Sequence, residues 1–105
     1  MIPTWQTEDG RIVLYLADSN FALKQLQKVD VIITDPPWGI DQEKWDTHFP
    51  IDIIPLLLDK ANTVCVIPGI DALGKCIYAM GDKYIWTICG HKAASMANGK
   101  FGLNK

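Results

Sequence analysis

The stretch Val29-Asp30-Val31-Ile32-Ile33-Thr34-Asp35-Pro36-Pro37-Trp38 joins an apolar run to an acid, two prolines and an aromatic ring. The first six residues are almost continuously apolar, which is typical of a central parallel strand covered on both faces. Proline has a fixed φ and no backbone N–H, so the two prolines are expected to end the strand. The stretch therefore predicts a buried strand that runs into a stiff loop.

Apolar runs and helical patterns alternate on either side of this stretch. We predict further strands over residues 12–16, 63–67 and 84–89. Helices are predicted after the cap candidates Asp18-Ser19-Asn20, over residues 51–61 and over residues 71–80 with Gly81 as the C-cap. Pro55 favours a late start of the second helix, near Ile54.

This alternation predicts the α/β class for a single domain over residues 1–105. The expected form is a partial doubly wound, Rossmann-like sheet in three α/β/α layers. Such sheets bind ligands beyond the carboxyl ends of their strands. Asp18 and Asp35 each follow a predicted strand, so we expect them to share that rim.

Composition limits the functional classes. The net charge of -2 gives no polycationic footprint for a nucleic-acid backbone, which weakens nucleic-acid binding by this chain alone without excluding it. Cys65 and Cys89 lie in apolar runs and are predicted to be buried free thiols. No Cys/His cluster indicates a metal site, and no segment suggests export or a membrane span. We therefore expect a cytoplasmic protein without a metal.

The loop at residues 35–38 has a chemical interpretation. The Asp35 carboxylate and the Pro36 carbonyl could accept the two hydrogens of an exocyclic amine, while Pro37 stiffens the backbone. Trp38 would offer a flat face for base stacking, and Gly39 would let the chain turn closely. The alternative is a plain strand terminator with Trp38 as a lid over the core.

Further motifs follow the loop in a fixed order. They are Lys44-Trp45-Asp46, then Trp86-Thr87 through His91-Lys92, then Met96-Ala97-Asn98-Gly99-Lys100-Phe101. Together with the loop, this order resembles the amino-directed (adenine-N6 and cytosine-N4) DNA methyltransferases in their permuted, β-class form. The resemblance covers almost the whole chain. Two departures are Ala93-Ala94 after the lysine and Trp38 where tyrosine is commoner.

The resemblance implies transfer of a methyl group from S-adenosylmethionine to a base amine of DNA, with adenine N6 as the favoured target. Asp35, Pro36, Pro37 and Trp38 would be the catalytic residues. Asp18 and Asp35 would contact the cofactor, and Trp38, Gly39, His91 and Lys92 would contact the base or DNA. Two plainer interpretations stay open: Asp18 as a helix N-cap, and His91 with Lys92 in a solvated loop.

The glycine-rich cofactor loop of such enzymes, F-x-G-x-G, does not occur in this sequence. A target-recognition region is likewise not identified. We therefore expect only part of an active enzyme, which could self-associate or be completed by another chain. The alternative is a catalytically inactive binding or assembly module that needs another chain to complete its fold.

Overall fold

The structure is a computed structural model that describes residues 1–39, 44 and 47–90. These residues form three α-helices, two two-stranded sheets and a short 3-10 helix, which is a small α/β arrangement. The chain divides into two compact units. The first comprises Met1–Ile33 and Asp52–Cys65, and the second comprises Thr34–Ile51 and Val66–Lys105.

The first unit begins with a hairpin. Strands β1 (Trp5–Gln6) and β2 (Val13–Leu14) are antiparallel, with Trp5 opposite Leu14. Asp9 holds the turn, because its Oδ1 accepts from the Thr7 hydroxyl at 2.7 Å and from the Arg11 backbone N–H at 3.1 Å. The predicted strand over residues 12–16 is therefore shorter than expected, and among the described residues it pairs only within this hairpin.

Helix α1 (Ser19–Gln25) confirms the helix predicted after Asp18. The Asp18 carboxylate accepts from the Phe21 backbone N–H at 3.2 Å, so it satisfies one of the free donors of the first turn. At the other end, the Lys60 Nζ donates to the Leu26 carbonyl at 2.7 Å. This bond fastens the C-terminus of α1 to the last residue of helix α2 (Ile53–Lys60), against which α1 packs.

Helix α2 starts close to the predicted position. Pro55 is its third residue, and it is tolerated there because the first turn has no intrahelical N–H bonds to lose. The buried side chains of the helix are Ile53, Ile54 and Leu57. Asp52 occupies the N-cap position, but its side chain makes no capping bond.

Strands β3 (Val29–Thr34) and β4 (Ala61–Val66) form the second sheet. The Ile67 N–H donates to the Thr34 carbonyl at 3.0 Å, so the carboxyl ends of both strands lie side by side, as in a parallel pair. The strand at residues 29–34 is confirmed, and β4 starts two residues before the prediction.

The expectation that β3 is covered on both faces is wrong in this structure. Ile32 and Thr34 are half-buried, whereas Val31 is 53% exposed and Ile33 is 73% exposed. This alternation is the pattern of a strand with one covered face. On β4, Cys65 is also exposed, contrary to prediction.

The second unit contains helix α3 (Gly69–Met80), followed by a 3-10 turn (Gly81–Lys83). The helix starts two residues before the predicted Asp71, which lies in its first turn. Gly81 ends it as predicted, with φ of 60° and its N–H directed to the Ile77 and Tyr78 carbonyls. Ala72 and Cys76 are buried side chains of this helix.

The strand predicted over residues 84–89 is wrong, because residues 84–90 have no regular structure. A strand requires a neighbour for its backbone N–H and C=O groups, and none of the described residues pairs with this segment. Ile85, Trp86 and Ile88 are 82%, 74% and 77% exposed. Cys89 is exposed as well, so the prediction of a buried thiol is wrong here too.

Across residues 1–39, 44 and 47–90, no helix has both the length and the apolar character needed to cross a membrane.

Candidate functional site

The loop of residues 35–39 leaves β3 at its carboxyl end and belongs to the second unit. Asp35 is exposed, Pro36 is buried, and Pro37 and Trp38 are half-buried. The burial of Pro36 anchors a backbone that its ring already restrains in φ. The backbone of the loop is thus held in place, while the Asp35 side chain at its start is exposed to solvent.

The indole N–H of Trp38 is shared between two acceptors. Nε1 donates to Asp35 Oδ1 at 3.0 Å and to the Ile67 carbonyl oxygen at 2.9 Å. The bond to Asp35 is charge-assisted when the carboxyl group is ionised. Among the described residues, Asp35 makes no other side-chain hydrogen bond.

Gly69, the first residue of α3, provides the space that the indole occupies. A Cβ atom built on Gly69 would lie 2.7 Å from Trp38 Cδ2, 2.8 Å from Cγ and 2.9 Å from Cε3. Real Cβ atoms do not approach other heavy atoms so closely. The φ of +70° at Gly69 is also one that other residues rarely adopt. Any side chain at position 69 would therefore displace the ring.

A second close approach occurs at Gly39, whose φ is +76°. A Cβ atom at this position would lie 2.7 Å from the Phe49 backbone N and 2.9 Å from the His48 Cα. The close turn predicted at Gly39 is present, and it packs against the backbone of residues 48–49. Phe49 itself is buried.

Asp18 and Asp35 do not follow strands of one sheet. Asp18 comes after β2, which pairs with β1, whereas Asp35 comes after β3, which pairs with β4. The prediction that Asp18 and Asp35 share one rim assumed that both follow strands of the same sheet, and this assumption is wrong. Asp18 acts as the N-cap of α1, which was one of the two interpretations left open.

Several predicted residues lie outside the described part of the chain. They are Trp45, Asp46, His91, Lys92 and the segment of residues 96–101. Lys44 is exposed. Trp86 is exposed in the irregular segment after the 3-10 turn.

Two described residues that are not part of the loop have a shifted pKa. The hydrogen bond from Thr7, followed by that from the Arg11 backbone, lowers the pKa of Asp9. Burial raises the pKa of the Cys76 thiol. In the described ranges, no three side chains of His, Cys, Asp or Glu are grouped to hold a metal ion.

Sequence reasoning missed two contributors to the site, the carbonyl of Ile67 and the bare backbone of Gly69. The Pro68-Gly69 pair follows the strand predicted over residues 63–67. A glycine in the turn between a strand and a helix can indicate close approach of another group. The pattern, however, does not say which group approaches.

Comparisons with protein families, with curated proteins and with solved structures give no match to this chain.

Proposed function

We propose that this chain forms the catalytic-loop part of an amino-directed DNA methyltransferase with a Rossmann-like sheet, acting on adenine N6. One observation supports this most: the coupling of the Asp35 carboxylate to the Trp38 indole beside the carboxyl ends of two strands. An acceptor and an aromatic face on a rigid loop suit a planar base that carries an amine.

Methylation of adenine N6 is favoured by hydrogen-bond acceptors at both amine hydrogens. The nitrogen lone pair of adenine N6 is delocalised into the ring, so the nitrogen is a weak nucleophile. Acceptance of one hydrogen by Asp35 Oδ2 and of the other by the Pro36 carbonyl would favour a pyramidal nitrogen. The lone pair would then point at the incoming methyl group. Preorganised acceptors of this kind act without reorganisation during the reaction.

Trp38 would hold the base by stacking on its ring. Gly69 covers the ring from the side of α3, and the side chain as a whole remains half-buried. Stacking of one base on an aromatic side chain is worth about 1–3 kcal/mol. The base must be single-stranded or flipped out of a duplex to reach such a face.

S-adenosylmethionine is the proposed methyl donor: it would supply the electrophilic methyl group as its sulfur–methyl bond breaks, the thioether would leave, and the methylated amine would lose one proton to solvent. Asp18 and Asp35 are the described carboxylates proposed to contact it. One oxygen of Asp18 already accepts the capping bond from Phe21. The described residues therefore fit the acceptor base better than the donor, in agreement with a chain that lacks the F-x-G-x-G loop.

The test is binding of short single-stranded oligodeoxynucleotides that carry one adenine or, as a control, thymine in its place. We expect Asp35→Ala to abolish the preference for adenine. Asp30→Ala removes another exposed carboxylate, on β3, and should leave the preference intact. Absence of any adenine preference in the wild-type chain would contradict the proposal. Calorimetry with S-adenosylmethionine measures binding of the methyl donor separately. Transfer of a labelled methyl group to the same oligonucleotides measures the reaction itself.

The second candidate is an inactive assembly module completed by another chain. It is favoured by the exposed apolar side chains of β3 (Val29, Val31 and Ile33) and of the irregular segment (Ile85, Trp86 and Ile88). Strands that lack a neighbour can pair with another chain. Sedimentation equilibrium tests this candidate. A stable oligomer without adenine preference would favour it over the methyltransferase.

A further inference from the structure

The position of the Trp38 ring depends on a residue that carries no side chain. Gly69 stands where a Cβ atom would lie within 3 Å of three ring atoms, Cδ2, Cγ and Cε3. The backbone two residues earlier contributes the Ile67 carbonyl, which accepts from the indole N–H at 2.9 Å. The junction between β4 and α3 thus both makes room for the ring and fixes its rotation.

We propose that Gly69 is a positioning residue for base recognition, acting through Trp38. The inference rests on the proposed function for its ligand, an adenine base. With the indole against Gly69, one N–H reaches Ile67 and Asp35 together, so the stacking face and the carboxylate are held in one fixed arrangement. A side chain at position 69 would move the ring, break both bonds and release the Asp35 carboxylate.

Two properties of Gly69 must be separated in the test, its positive φ and its close contact with the ring. Three glycines of the second unit allow this. Gly69 has φ of +70° and meets Trp38, Gly81 has φ of +60° in open space, and Gly74 is open without a positive φ. Gly81→Ala is therefore the control for backbone strain, and Gly74→Ala is the control for alanine in the same helix.

The first readout is the indole N–H of Trp38, observed by nitrogen-15 NMR and assigned with Trp38→Phe. In the wild type we expect this proton to exchange with solvent at least tenfold more slowly than that of Trp86, which is 74% exposed. Gly69→Ala should remove this protection, whereas Gly81→Ala and Gly74→Ala should keep it. Equal exchange of the Trp38 and Trp86 protons in the wild type overturns the proposal even if Gly69→Ala does not fold.

The second readout is a double-mutant cycle on binding of the adenine-containing single strand. Gly69→Ala should weaken binding by roughly 5- to 150-fold, the range expected for loss of one stacked base. In the Trp38→Ala background, Gly69→Ala should have no further effect, because the residue acts through the ring. A full and independent effect in that background would show a general structural role and reject the inference.

The two readouts separate this inference from the proposed function. If wild-type protection is lost in Gly69→Ala but no adenine preference exists, the contact with Trp38 is confirmed while base recognition fails. That outcome overturns Gly69 as a residue for base recognition together with the proposed function. If adenine preference exists and the protection is insensitive to Gly69→Ala, only the role of Gly69 is overturned.

Discussion

The indole N–H of Trp38 donates across 3.0 Å to the carboxylate of Asp35, three positions earlier in the chain. The aromatic ring and the acid of this loop therefore behave as one unit. Removing the side chain of either residue removes a hydrogen-bond partner of the other. A substitution of Trp38 that removes the indole therefore removes both the ring proposed to stack on a base and the donor to the Asp35 carboxylate.

Trp38→Phe keeps a ring against Gly69 but removes the only side-chain donor of the residue. We expect a loss of about 1.5 kcal/mol in the free energy of unfolding, at the low end for hydrogen bonds to charged acceptors because Asp35 is exposed. Urea denaturation measures it. Trp86→Phe, at an exposed position, should change stability by no more than about 0.5 kcal/mol. Equal effects of the two changes would argue against the bridging bond.

Asp18→Ala should destabilise the protein by about 1 kcal/mol, because it removes the side-chain cap of α1. Asp52→Ala is the matched control: Asp52 also occupies an N-cap position, but its side chain makes no capping bond. Its expected effect is below about 0.5 kcal/mol. Thermal or urea unfolding compares the two. Asp18→Asn, which can still cap, should regain most of the stability lost in Asp18→Ala.

Leu57→Ala should cost about 2–4 kcal/mol, because Leu57 is 2% exposed and its removal leaves a cavity beneath α2. Such a loss is a large part of the stability of a small domain. The control is Leu16→Ala, at a side chain that is 89% exposed. If Leu57→Ala is no more harmful than Leu16→Ala in urea unfolding, α2 does not bury this side chain in solution.

The thiols should differ in reactivity and in their effect on pH dependence. Cys65 and Cys89 are exposed, and Cys76 is buried with a raised pKa. Alkylation of the native protein at pH 8 should therefore modify the first two and spare Cys76, as read by mass spectrometry. Rapid alkylation of Cys76 in native buffer would contradict its burial.

The raised pKa of Cys76 also determines whether the free energy of unfolding rises or falls with increasing pH. An unfolded thiol ionises near pH 8.5, whereas the buried thiol stays protonated to higher pH. The contribution of the protonated Cys76 thiol to the free energy of unfolding is complete below the unfolded pKa. It falls as the pH rises from there through the folded pKa. Urea midpoints at pH 7 and pH 9.5 should show this fall, and Cys76→Ala should reduce it.

Elements that depend on local signals were predictable from sequence. The strand at residues 29–34, the capped helix after Asp18 and the end of α3 at Gly81 each follow from adjacent residues. The irregular structure of residues 84–89 was not predictable, because their apolar composition indicates a strand but says nothing about a partner for its backbone. Sequence likewise could not reveal that β2 pairs with β1 rather than beside β3.

The candidate site shows the same division. The acid, the prolines and the ring of residues 35–38 were identified from their order after an apolar run. Their arrangement was not, because the Ile67 carbonyl and Gly69 set the position of the indole from a distant part of the chain. The sequence also left the N-cap as one of two interpretations of Asp18, and its carboxylate does accept the capping bond from the Phe21 N–H.

The bond from Trp38 to Ile67 links residues that are 29 positions apart in the chain. During synthesis, the acid and the ring therefore emerge well before the backbone that orients them. The loop can reach its final shape only after the whole of β4 and the start of α3 have followed. Any shortened form that stops before residue 67 keeps the Asp-Pro-Pro-Trp sequence but loses the hydrogen bond that orients the Trp38 indole. A peptide of this loop is therefore a poor substitute for the site.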